Sequence, residues 1–130
     1  MADSVLIIGD EPDLREKLSS YLTEAGYEVT LAYNYITARM IMQGLVPDII
    51  IIGEVHQNGM DSFMACKHLH DDYGIPIVVL GKGPNREMWK KTVDAGGEYY
   101  RQMPCNPRVL IAIVKSILRR YKGRMLREPV

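Results

Sequence analysis

The chain has 130 residues, 47% hydrophobic and 25% charged, a balance that suits one globular domain with a single core and argues against disorder. Sixteen basic residues meet sixteen acidic ones, so a formal charge of zero excludes a global pull toward nucleic acid or an anionic membrane and leaves only local patches for polyanions. The two cysteines, Cys66 and Cys105, have neither the number nor the spacing of a disulfide framework or a zinc site, and read as free thiols of a reducing cytosol.

Met1-Ala2-Asp3-Ser4 lacks a basic region and passes into a four-residue apolar run, too short for a signal peptide or a membrane span. A cytoplasmic location is expected. Val5 to Ile8 has no polar alternation, as a strand buried on both faces of a parallel sheet requires. Leu14, Leu18, Tyr21, Leu22 and Ala25 then recur at helical spacing, with Pro12 in the first turn and Gly26 as a left-handed stop. Tyr27 to Ala32 reads as a second strand. Asn34 caps a shorter helix carrying Ile36, Met40 and Ile41 to Gly44. Ile49 to Ile52 is the third strand, and Asp61 or Ser62 caps a helix with Phe63, Cys66 and Leu69. Ile75 to Leu80 is a fourth strand, Arg86 to Ala95 a helix stopped at Gly96-Gly97, and Glu98 to Met103 a fifth strand. Asn106-Pro107 opens a last helix whose stripe is Leu110, Ile113, Val114, Ile117 and Leu118.

Five strands alternating with five helices imply right-handed crossovers and a doubly wound parallel sheet covered on both faces, an α/β three-layer αβα domain. The economical form is flavodoxin-like, strand order 2-1-3-4-5, spanning residues 1–122, with 123–130 a basic tail or the start of a linker. Ligands in such sheets bind beyond the carboxyl ends of the strands, at the switch between the first and third. There the first and third strands each run into a glycine and then an acid, Gly9-Asp10 and Gly53-Glu54. Gly81-Lys82-Gly83-Pro84 and Gln102-Met103-Pro104 border the same crevice.

From about Val5 to Arg120 the chain resembles the receiver (CheY-like) domains of two-component response regulators. The resemblance is carried by Asp10-Glu11-Pro12-Asp13-Leu14-Arg15, Pro47-Asp48, Gly59-Met60-Asp61, Ile75-Pro76, Ala95-Gly96 and Met103-Pro104. It implies phosphorelay signalling, but the site departs from the family pattern throughout. Of the two acids that hold Mg²⁺ after the first strand, Asp10 remains and the other is Gly9. The phosphoacceptor aspartate falls on Gly53 counted from Pro47-Asp48, or on Glu54 counted back from Gly59-Met60-Asp61. The family's hydroxyl after the fourth strand is matched by Gly81, its lysine after the fifth by Met103, and its switch aromatic by Tyr100.

Phosphoryl transfer to an aspartate needs a carboxylate in line with the donor. Glycine has none, and a glutamate shifts the reacting oxygen by about 1 Å, which can cost roughly a hundredfold. The resemblance with these losses implies an atypical receiver, a pseudo-receiver that is not an enzyme, signals through other proteins and needs no cofactor, Mg²⁺ being at most weakly held by Asp10 with Glu54. In the family the signalling face is the fourth helix, fifth strand and fifth helix, here bearing Trp89, Lys90, Tyr99, Tyr100 and Arg101, types enriched at interfaces. A protein partner, or a second copy of the chain, is expected there, with no membrane and no nucleic acid. Two rivals remain: a phosphoaccepting receiver using Glu54 or another acid, and a small-ligand binder in the emptied crevice. Glu54, His56 and Gly59 also nearly reproduce a cobalamin-domain signature, but after the third strand rather than the first.

Overall fold

Four consecutive isoleucines form the middle of the sheet. In the computed structural model, which describes residues 2–55 and 59–127, they make strand β3 (Ile49–Ile52), which pairs on one side with β1 (Ser4–Ile8) and on the other with β4 (Ile77–Gly81). The outer strands are β2 (Glu28–Ala32) and β5 (Tyr99–Gln102), giving a parallel sheet of order β2-β1-β3-β4-β5. Five helices connect the strands: α1 (Pro12–Glu24), α2 (Tyr35–Met42), α3 (Ser62–Tyr73), α4 (Asn85–Asp94) and α5 (Pro107–Arg127). The fold class and strand order read from the sequence are those observed.

The twofold side-chain period of a strand divides the apolar run between two cores. Ile50 and Ile52, with Leu6, Ile8 and Val79, meet Ala38 and Met42 of α2 and Ala65, Cys66 and Leu69 of α3. Ile49 and Ile51, with Val5, Ile7, Val78 and Leu80, meet Leu18 and Leu22 of α1 and Leu110, Val114, Ile117 and Leu118 of α5. All four isoleucines are fully buried, each contributing about 1.5–3 kcal/mol of transfer free energy. An unbroken apolar run is therefore needed, because both faces of β3 are covered.

The ends of the elements follow local chemistry. The Asn34 side chain accepts from Thr37 N at 2.7 Å and starts α2, and Asp61, rather than Ser62, caps α3 by accepting from Met64 N at 2.8 Å. Strand β4 begins at Ile77, not Ile75, because Pro76 has no N–H to give the ladder; its carbonyl only accepts from Ile50 N. Helix α5 runs past the boundary at 122 through Gly123 to Arg127, as one helical glycine costs only about 1 kcal/mol. It carries Arg108, Lys115, Arg119, Arg120, Lys122, Arg124 and Arg127 and no acid. Its Lys122 reaches Asp3 at 2.6 Å, while Ser4 N donates to Asp48 at 2.7 Å and fixes the start of β1.

Candidate functional site

Past the last paired residues, Ile8 and Ile52, Gly9 lies beside Gly53, whose Cα would be 3.7 Å from a Cβ on Gly9. Gly53 N donates to Ile8 O at 2.7 Å, and Asp10 N donates to Glu54 O at 3.2 Å. Both glycines are buried, Asp10 is exposed and Glu54 half-buried. The residue beside Gly9 at the end of β3 is thus Gly53, with Glu54 one position further on. A Cβ on Gly53 would lie 3.2 Å from Leu14 Cδ2, so α1 closes over this floor.

Polar groups that the sequence reading did not single out hold these ends. The Arg15 guanidinium donates to Gly9 O and stacks 5.8 Å from the Tyr33 ring. Ser62 Oγ, released from capping by Asp61, donates to Gly53 O at 2.7 Å. The only signal for either was position, Arg15 one turn into α1 and Ser62 at the first residue of α3.

At the next strand ends, Met103 N donates to Gly81 O at 2.7 Å. Tyr100 lies inside, 2% exposed, and its hydroxyl donates to Gly83 O at 3.0 Å. Burial chiefly, then the charge of Glu54, raises the pKa of that hydroxyl. A Cβ at Gly81 would stand 2.8 Å from the Tyr100 hydroxyl oxygen, so the tyrosine fills the space a larger residue at 81 would need.

Between α1 and α5 these ends enclose a cleft of about 480 Å³. Leu14, Leu18, Leu80, Met103 and Leu110 line its floor, and Glu11, Asp13, Lys17, Glu54 and Lys82 its rim. Cys105 also borders it, its thiol pKa pushed up by burial and drawn back by Arg101. Toward a magnesium ion Gly9 and Gly53 offer no side-chain oxygen and a guanidinium occupies the Gly9 carbonyl, which leaves the carboxylates of Asp10 and Glu54 as the side-chain oxygens at these strand ends. Among the described residues no three of His, Cys, Asp and Glu converge as metal ligands. His56 of the cobalamin-like pattern lies outside the described residues.

On the face of α4 and β5, the Trp89 ring, 37% exposed, meets Tyr99 edge-on with centroids 4.5 Å apart and planes at 77°. Lys90 is exposed and Arg101 half-buried. Tyr100 must be removed from the set of residues open to a partner, because its alternate direction along β5 points into the core. Among the described residues no helix is long and apolar enough to cross a membrane.

The sequence profile of the response regulator receiver domain matches residues 5–115. The chain is 28% identical over 120 residues to the DNA-binding response regulator MtrA of Mycolicibacterium smegmatis, a match covering 92% of this chain and 52% of that protein. It thus spans about half the length of that curated relative. A two-component response regulator from Clostridium difficile superposes with a TM-score of 0.85 at 30% identity, covering 92% of this chain and 98% of the other. The chemotaxis response regulator CheY4 of Vibrio cholerae does so with a TM-score of 0.80 at 26% identity, covering 90% and 99%.

Proposed function

Because the chain belongs to the response regulator receiver family of two-component signalling, we propose that it acts by binding another protein, without accepting a phosphoryl group, without Mg²⁺ and without enzymatic activity of its own. The observation that carries this reading is the pairing of Gly81 with Tyr100. The family's hydroxyl position is a glycine, and the switch aromatic sits inward, bonded to Gly83 O at 3.0 Å, in the space a side chain at 81 would occupy. The tyrosine therefore needs no phosphoryl group to draw it in. The site around it supports the same reading: Gly53 supplies no nucleophile, and Met103 in place of lysine gives no charge to balance a phosphate. The output face is that of α4, β5 and α5, where Trp89, Tyr99, Lys90 and Arg101 offer an aromatic pair flanked by cations to a protein partner or to a second copy.

Intact-mass spectrometry after incubation with acetyl phosphate and Mg²⁺ tests the proposal. The expected spectrum is that of the unmodified chain. A phosphoryl adduct mapped to Glu54, or to any other acid, would establish the phosphoaccepting alternative instead.

A further inference from the structure

The cleft between α1 and α5 has the size and lining of a small-molecule site. Its floor is continuous with the core, since Leu18, Leu80 and Leu110 are at most 4% exposed and Leu14 and Met103 pack against that cluster. Its volume of about 480 Å³ lies within the range of pockets that enclose small ligands. Apolar surface at its floor gives such a ligand a gain on leaving water. The rim carries both signs, Glu11, Asp13 and Glu54 beside Lys17 and Lys82, and the half-buried Glu54 offers a carboxylate to a cationic group. Two wall residues also face the switch, for Gly81 abuts the Tyr100 hydroxyl and the Glu54 charge acts on it.

We propose that this cleft binds a small molecule with an apolar body and an amine, and that the ligand acts through Gly81 and Glu54 on Tyr100. The inference rests on the phosphate-free reading, for which it supplies the missing input. A ligand that settles over Gly81 and pairs with Glu54 changes both the packing and the field at the tyrosine hydroxyl. The output face on β5 is then altered from the opposite end of the same side chain.

The test is a titration of the full chain with cyclohexylmethylamine, cyclohexylmethanol and cyclohexanecarboxylate, followed by amide and tyrosine-ring NMR shifts. Saturable shifts at Leu14, Gly81 and Leu110, with the Tyr100 ring moving in step, are expected for the amine. The amine should bind up to about fivefold more tightly than the alcohol, as a partly exposed ion pair allows, and the carboxylate more weakly than both. Met103→Lys, which puts an ammonium on the floor, should abolish the amine shifts. If that variant does not fold, Glu54→Gln at the half-buried rim should bring amine and alcohol to parity. No saturable shift in the cleft with any probe, or a carboxylate as tight as the amine, overturns the ligand proposal while leaving the mass-spectrometric test untouched. A phosphoryl adduct, conversely, overturns the phosphate-free reading even if the titration succeeds.

Discussion

Gly81 and Tyr100 share one volume: a Cβ on the first would sit 2.8 Å from the hydroxyl oxygen of the second. Real Cβ atoms are not found so close to a neighbour, so the two residues are coupled by exclusion. Whatever enlarges position 81 must displace the ring on β5, and whatever fixes the ring requires a glycine at 81. The direction of displacement is set by the surroundings, because the core behind the ring is filled by Val79, Ala95 and Cys66.

Gly81→Thr is therefore expected to turn the Tyr100 ring outward and break its bond to Gly83 O. The hydroxyl pKa is raised by burial and by Glu54 in the native chain. On release it should fall back toward the ordinary value of 10.0. Spectrophotometric titration of the tyrosines reads this directly; an unchanged high-pH ionisation in Gly81→Thr would show that the ring stays inside.

On the phosphate-free reading proposed above, an aspartate at position 53 alone should not bring phosphorylation. Gly53→Asp meets Leu14 Cδ2 at 3.2 Å, which a small movement of that side chain relieves, but the hydroxyl and lysine are still missing. Each absent charge-stabilising group costs about 10²–10³ in rate by analogy with oxyanion donors. We expect no adduct with acetyl phosphate for Gly53→Asp, and a measurable one only when Gly9→Asp, Gly81→Thr and Met103→Lys are combined with it.

Cys66 is fully buried on the inner face of α3, where desolvation pushes its thiol from 9.0 up to about 12. The folded pKa lies above the unfolded one, so the folded chain holds the proton longer and this contribution is intact below pH 9. As pH rises from 9.0 toward 12 the unfolded state loses its proton first, and stability should fall by about 1.4 kcal/mol per pH unit. Urea melts across that window should show the slope, and Cys66→Ala should reduce it. At pH 8, iodoacetamide should alkylate Cys105, which borders the cleft, and leave Cys66 untouched until the chain unfolds.

The Asn34 cap supplies an acceptor to one of the free N–H groups that open α2. Asn34→Ala should lower the unfolding free energy by about 1 kcal/mol in chemical denaturation, with Asn34→Asp close to neutral. A larger loss would mean that the residue also positions the β2 end, where Gly9 N donates to Ala32 O at 3.0 Å.

Much of this architecture is written locally. Pro12, Asn34, Asp61 and Pro107 announce helix starts because each satisfies or tolerates orphan backbone donors, and the Ile49–Ile52 run announces a doubly covered strand because it is short, β-branched and without polar alternation. The residue types at Gly53, Gly81 and Met103, on which the phosphate-free proposal rests, are read from single positions of the sequence. Inaccessible to sequence was anything requiring two distant residues to meet. The burial of Tyr100 depends on its phase along a four-residue strand, the reach of Arg15 to Gly9 O on the pitch of α1, and the cleft on the gap left between α1 and α5. The reach of α5 to Arg127 is not marked in the sequence either, because a glycine and a run of cations suit a tail as well as the C-terminus of a helix.

That helix gives a chain of zero net charge a strong electrical polarity. With seven cations and no acid on α5, nine bases face sixteen acids in the remainder of the sequence. A helix so charged is drawn by the field of a negatively charged neighbour before contact. Its encounters are thereby oriented in advance, and that orientation fades as salt shortens the reach of the field.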